Sequence, residues 1–89
     1  MGELDLLFRE FRRGASPRIP DVLLQPPQVV NWQTTAGLSA ERRERIIQVA
    51  IDRGFVAHEG RVTMGITALR LTPPGYEELV RRFPEVLRQ

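Results

Sequence analysis

The hydrophobic pattern of residues 38–83 constrains the fold of this chain more than any other feature. It predicts a helix, a strand, a tight connection, a second strand and a second helix, in that order. The first helix of this series covers residues 39–53, with Ser39 as a favourable N-cap and Gly54 as the residue that follows its end. This order of elements indicates an α+β fold.

The two strands of the pattern are short. The first strand is predicted at Phe55–Ala57. The second strand is predicted at residues 66–72, where apolar and β-branched residues alternate. We place a turn at residues 58–61, and residues 62–65 extend either the hairpin or its loop. The sequence therefore predicts a two-stranded β-hairpin.

The exit from the second strand is the strongest local signal in the chain. It is the run Leu71-Thr72-Pro73-Pro74-Gly75. Thr72 suits an N-cap, and Pro73 suits the first position of a helix. The helix that follows carries one apolar stripe, formed by Tyr76, Leu79, Val80 and Phe83. We expect Pro84 to break or bend this helix.

The first half of the chain begins with a predicted helix and continues into a segment rich in proline. The helix covers residues 3–13, and its apolar stripe consists of Leu4, Leu7, Phe8 and Phe11. Residues 15–27 form a Pro-rich connection, in which residues 21–25 are either one short turn of helix or an extended piece.

A further short helix is predicted at residues 28–36. Trp32 is expected to anchor the core there, with ligand stacking as the alternative. We assign residues 1–89 to a single domain whose core, with its C-terminal helix, spans 28–83, because a chain of 89 residues suits one domain.

Composition is that of an ordinary globular protein, with 42% hydrophobic and 27% charged residues. All thirteen basic residues are arginine, and the net charge is only +2. The computed pI of 10.4 thus reflects the high pKa of arginine rather than a large basic surplus. Either the codon preference of a GC-rich genome or selection for phosphate contacts explains this arginine usage.

Several classes of function are disfavoured. The chain has no cysteine, and therefore no disulfide framework or thiolate metal site. The first residues are acidic where a signal peptide is basic, and the apolar runs are too short to span a bilayer. We expect a cytoplasmic protein without membrane contact. His58 is expected at the surface. We see no catalytic constellation, cofactor site or metal site, and expect no enzyme activity.

Two parts of the sequence resemble winged-helix transcriptional regulators. The segment from Gly37-Leu38-Ser39 to Gly54-Phe55-Val56 resembles their recognition helix and the strand after it. The Leu-Thr-x-x-Gly run at residues 71–75 resembles their exit from the wing. The resemblance covers residues 37–79 and is closest to MarR-like and PadR-like regulators. The Pro-rich residues 15–27 and a short wing with a single arginine depart from the family pattern.

The resemblance implies a winged helix-turn-helix with three or more helices and a two-stranded hairpin wing. It implies a small transcription regulator whose helix 39–53 enters the major groove of double-stranded DNA, with the hairpin on the backbone or minor groove. The matching DNA-contact positions are Ser39, Arg42, Arg43, Arg45 and Arg61. It also implies a homodimer through the apolar stripes of helices 3–13 and 74–83.

The polar face of helix 39–53 argues against that function. At about 100° per residue, its outer side carries three acids and one base. These residues, with one amide, are Glu41, Glu44, Arg45, Gln48 and Asp52. Acids that face phosphates weaken binding, although a glutamate can accept from a cytosine amine. Two functions stay open: a DNA-binding regulator, and an interaction module for a protein such as a polymerase or replication factor.

Overall fold

The computed structural model describes residues 2–89, which form an α+β structure. The predicted α+β class is confirmed. The elements, in chain order, are α1 (Glu3–Arg12), β1 (Leu23–Leu24), α2 (Pro26–Thr35), α3 (Ala40–Asp52), β2 (Val56–Thr63), β3 (Ile66–Leu71), α4 (Pro73–Arg82) and a 3₁₀ helix (Pro84–Arg88).

The helices α3 and α4 begin at the N-caps that the sequence predicts. The Ser39 hydroxyl accepts a hydrogen bond from the Arg42 backbone N–H at 3.1 Å. The Thr72 hydroxyl accepts one from the Gly75 backbone N–H at 3.0 Å. Each bond satisfies a donor that the first turn of a helix otherwise leaves without an acceptor.

The predicted Pro-rich connection over residues 15–27 is too long. Its C-terminal end contains β1, which pairs antiparallel with β3, and the first residues of α2. This helix starts at Pro26 and not at residue 28, because a proline in the first turn lacks only an N–H that has no intrahelical acceptor. Of the two alternatives for residues 21–25, the extended one is correct.

The sheet has three antiparallel strands in the order β1-β3-β2. The predicted two-stranded hairpin is present as β2 and β3. The sequence did not predict the third strand, since two residues of β1 are too few to show an alternating pattern. In this sheet β3 is central and pairs on both edges, whereas β2 is an edge strand.

The predicted turn at residues 58–61 is also wrong. The chain turns at Met64 and Gly65, whose φ angles of 60° and 74° suit a two-residue hairpin turn. Gly60 lies inside β2, within a shift of register against β3. Its φ of 79° accommodates the bulge that this shift requires. The β2–β3 hairpin is thus longer than the sequence predicts.

The Leu-Thr-x-x-Gly run holds the start of α4 against the residues that follow α3. Besides capping α4, the Thr72 hydroxyl donates to the Gly54 carbonyl at 2.5 Å, and the Thr72 N–H donates to the Phe55 carbonyl at 3.1 Å. A Cβ atom on Gly75 would lie 1.9 Å from the carbonyl oxygen of Phe55. Glycine is required here because the two backbones approach so closely.

The apolar stripes of the first and last helices are part of the core. All four stripe residues of α1 are buried, as is Leu79 of α4, and the other three stripe residues of α4 pack against the same core. These stripes are already covered within one chain, which leaves the expected homodimer without the interface predicted for it.

Trp32 is a core anchor, as predicted. Its side chain is 2% exposed, and its indole N–H donates to the Leu6 carbonyl at 2.9 Å. The bond ties α2 to α1. The alternative of ligand stacking is contradicted, because no face of the ring is open to a ligand.

Candidate functional site

The helix α3 presents the polar face that its sequence predicts. Ile46, Ile47 and Ala50 are buried. The five residues assigned to the outer side are all exposed: Glu41, Glu44, Arg45, Gln48 and Asp52. What this face can bind therefore depends on which of the charged groups on and around α3 are available to a ligand.

Two of the arginines predicted to contact DNA are engaged within the protein. The Arg42 guanidinium donates twice to the Glu3 carboxylate, at 3.2 and 3.3 Å. Arg43 donates to the Gln33 side chain at 2.6 Å and to Glu44 at 2.8 and 3.0 Å. Its side chain is only 14% exposed. Arg43 thus stabilises the α2–α3 packing and offers little to an external phosphate.

The other three predicted contact residues do not form one basic patch. Ser39 caps α3. Arg45 lines a pocket that α3 forms with the start of α1 and with α4. Arg61 is exposed in the distal part of β2. Within residues 2–89, neither Arg45 nor Arg61 makes an ion pair or a side-chain hydrogen bond, but they belong to different surfaces.

A groove of about 360 Å³ separates α3 from the β2–β3 hairpin; we refer to it as the hairpin groove. Its walls are largely apolar. The lining residues are Glu44, Ile47, His58, Val62, Gly65, Ile66, Thr67 and Leu69. Val62 is 69% exposed, and Met64 at the hairpin tip is 65% exposed. Apolar surface therefore continues from the groove to the tip, as contiguous patches at interaction sites do.

Sequence reasoning missed the hairpin groove. The only available signal is the pair of apolar residues Val62 and Met64 in residues 62–65, which the sequence assigns either to the hairpin or to its loop. Both lie beyond the turn predicted at residues 58–61, so the sequence did not place them opposite α3.

The hairpin groove has one acid in its wall, and two more acids are exposed elsewhere on α3. Glu44 lies in its wall, where Arg43 neutralises it. Glu41 and Asp52 lie further along the outer face of α3, and neither pairs with an arginine of residues 2–89. The lining of the hairpin groove itself thus consists mainly of apolar side chains, with one carboxylate and no arginine.

The carboxylates with shifted pKa values have structural roles. Hydrogen bonds from Arg81 and Arg82 lower the pKa of Glu78 to about 2. A hydrogen bond from Arg82 also lowers the pKa of Asp5. Across the hairpin, a hydrogen bond from Arg70 lowers the pKa of Glu59. Each shift has an arginine as its cause, which is the pattern of a stabilising ion pair and not of a general acid or base.

No protein-family model, no curated protein and no solved structure matches this chain. Among residues 2–89, every helix is too short or too polar to cross a bilayer. In the same part of the chain, no three His, Cys, Asp or Glu side chains are grouped so that they could hold a metal ion. The function must therefore be inferred from the surfaces of the protein itself.

Proposed function

We propose that this chain is a winged-helix domain that binds another protein through the hairpin groove. The order of elements, with β3 central between β1 and β2, supports the winged-helix arrangement. In such a domain α3 and the hairpin flank one ligand surface. The observation that carries the proposal is the largely apolar groove, whose lining includes no arginine and which suits a protein side chain better than a phosphate backbone.

The chemistry of the groove defines the partner segment. An aliphatic side chain would enter between Ile47 and Val62, where both walls are apolar. An arginine or lysine that extends one helical turn beyond Glu44 would meet Glu41, which lies three residues earlier on the same side of α3 and has no arginine partner within residues 2–89. Complementary charge of this kind sets orientation and specificity at protein interfaces.

Selection of short peptides from a random library on the immobilised protein tests this proposal. We expect enrichment of peptides that combine aliphatic residues with arginine or lysine. Binding of the selected peptide should fall roughly tenfold in Val62→Ser, because a central apolar contact is removed. Glu41→Arg should weaken it as well, by placing like charges together.

The matched control is Ile19→Ser, since Ile19 is also an exposed apolar residue, at 52%, but lies outside the groove. It should leave peptide binding unchanged. The proposal is wrong if the library yields only acidic peptides, or if Val62→Ser and Ile19→Ser behave alike.

DNA binding is the second candidate, and two observations favour it. Arg61 is exposed in the hairpin and has no partner within residues 2–89. The Arg42–Glu3 pair has side chains 46% and 47% exposed, and an exposed pair of this kind is held weakly. A phosphate could therefore replace Glu3 as the partner of Arg42.

Fluorescence anisotropy with a random-sequence duplex separates the two candidates. Micromolar binding at low salt that declines steeply as salt is added, and that is lost in Arg42→Ala/Arg61→Ala, would favour the regulator over the protein-binding module. We expect no such binding.

A further inference from the structure

The hairpin groove contains one side chain of a type that changes its charge near neutral pH. His58 is the only histidine of the chain, and it lines the groove together with residues of α3 and β3. Histidine gains or loses a proton between about pH 5 and 8. The charge of the groove wall can therefore vary with pH at this one position.

A hydrogen bond across the hairpin holds the imidazole ring in the wall. It joins Nδ1 of His58 to the hydroxyl of Thr67, a residue of β3 that lines the same groove. The residue opposite His58 on β3 is Leu69, which is buried. Because a hydroxyl can accept a hydrogen bond as well as donate one, the contact with Thr67 remains available when the ring is protonated and Nδ1–H donates. Protonation thus adds a charge to the wall and keeps the ring in place.

The other charges near this ring do not compensate for that proton. The charged residues of the groove wall and of the hairpin, apart from His58, are Glu44, Glu59, Arg61 and Arg70. Glu44, on α3, is paired with Arg43 at 2.8 Å, and Glu59 is paired with Arg70 at 2.5 Å. Arg61 is not among the lining residues and is itself positive. Carboxylates and guanidinium groups keep their charge between about pH 5.5 and 7.5, so uptake of a proton by His58 makes the wall positive.

We propose that His58 makes occupation of the hairpin groove dependent on pH, so that the neutral ring accepts an aliphatic partner segment and the protonated ring opposes it. This inference rests on the protein-binding proposal. In the free protein the ring is exposed, and water solvates its charge. A partner that fills the groove covers the ring, and removal of a charge from water without an opposite charge costs free energy. An arginine or lysine of the partner would add repulsion.

Measurement of peptide binding near neutral pH and at about pH 5.5 tests this inference. The selected peptide should contain no histidine and should have a blocked N-terminus, so that only the protein changes its charge. We expect the dissociation constant to be at least about fivefold larger at the acidic pH, which is the lower end of the usual coupling between two binding events. By the same linkage, bound peptide should move the midpoint of the His58 ring titration, followed by its proton resonances, to lower pH.

A matched pair of variants identifies the titrating group. His58→Gln retains a polar group for Thr67 but takes up no proton, so its peptide affinity should be the same at both pH values. The double variant His58→Gln/Asn31→His again has one histidine, now at an exposed position of α2 that does not line the hairpin groove. Its affinity should be equally insensitive to pH. If His58→Gln binds too weakly for measurement, the shift of the ring titration in the parent protein decides.

The inference is overturned if the parent protein binds the peptide equally well at both pH values, or if the double variant keeps the pH dependence of the parent. Either result would leave the protein-binding proposal intact. If the library yields no peptide, that proposal fails, and isoamyl alcohol, which is aliphatic and uncharged, replaces the peptide as the probe. Its titration is followed by the methyl resonances of Ile47 and Val62. Weaker saturable binding at the acidic pH supports the inference, whereas equal affinity or no saturable shift overturns it.

Discussion

Different interactions stabilise two regions of the protein: the packed helices α1 and α4, and the distal part of the hairpin. Phe11 and Leu79 have no exposed surface. Arg82 joins the two helices through its ion pair with Asp5 and also pairs with Glu78 within α4. Residues 57–65 of the hairpin, in contrast, are all exposed. Stability should therefore be concentrated in the helices and the base of the sheet, which leaves the distal hairpin free for ligand contacts.

The largest expected effect comes from the junction between α4 and the end of α3. Gly75→Ala should reduce the free energy of unfolding by about 3 kcal/mol or more, because the new Cβ cannot avoid a backbone carbonyl. Urea denaturation measures this loss. Gly37→Ala is the control: Gly37 has a φ of 68° and open space at its Cβ position, so strain alone should cost about 1–2 kcal/mol. Equal losses would contradict the close approach at Gly75.

An intermediate effect is expected from Glu78 in the ion-pair network of α1 and α4. Its pKa is lowered from 4.5 to about 2 in the folded protein, so its contribution is present above the unfolded pKa and is lost as pH falls towards 2. The unfolding free energy should decline by on the order of 2 kcal/mol through this group.

The test is urea denaturation from neutral to acidic pH. Glu78→Gln should lower stability at neutral pH and flatten the acid dependence. Glu77→Gln, which alters an exposed neighbour, should show the same dependence of stability on pH as the parent protein. If both variants follow the parent curve, Glu78 does not couple α4 to acid stability.

The smallest expected effect is at the distal hairpin. Val62→Ser should change the unfolding free energy by less than about 0.5 kcal/mol, because the side chain is largely exposed in the folded state. The same variant should impair peptide binding, so that stability and binding separate. A loss of more than about 1 kcal/mol in urea denaturation would show that Val62 packs as core and would remove the distinction between the two regions.

Much of the helical structure was predictable, because its signals are local. The caps Ser39 and Thr72 act within a few residues of themselves, and the apolar stripe of α1 repeats within ten residues. The errors arose where a local signal was weak or ambiguous. β1 has only two residues, and its pairing with β3 depends on a segment far along the chain. Gly60 suits a turn and a bulge equally well, and only its pairing partner distinguishes them.

The candidate sites were less predictable than the fold. The outer face of α3 was identified correctly, since 3.6 residues per turn place Glu44 and Arg45 on the polar side. The sequence did not reveal the two concave surfaces that these side chains line. A step of about 100° between neighbouring residues directs Glu44 towards the hairpin groove and Arg45 towards the pocket between α3, α1 and α4, once α1, α4 and the hairpin have packed around α3.

The sequence by itself determined where α3 and α4 start, which faces of α1, α3 and α4 are apolar, and that acids outnumber bases on the outer face of α3, because these properties depend on neighbours along the chain. Only the tertiary structure decided which arginines remain available. Arg42 finds its acid 39 residues away, and Arg82 finds one 77 residues away, whereas Arg45 and Arg53 find none within residues 2–89. Charge pairing depends on distances in space, and these are set by the packing of the core.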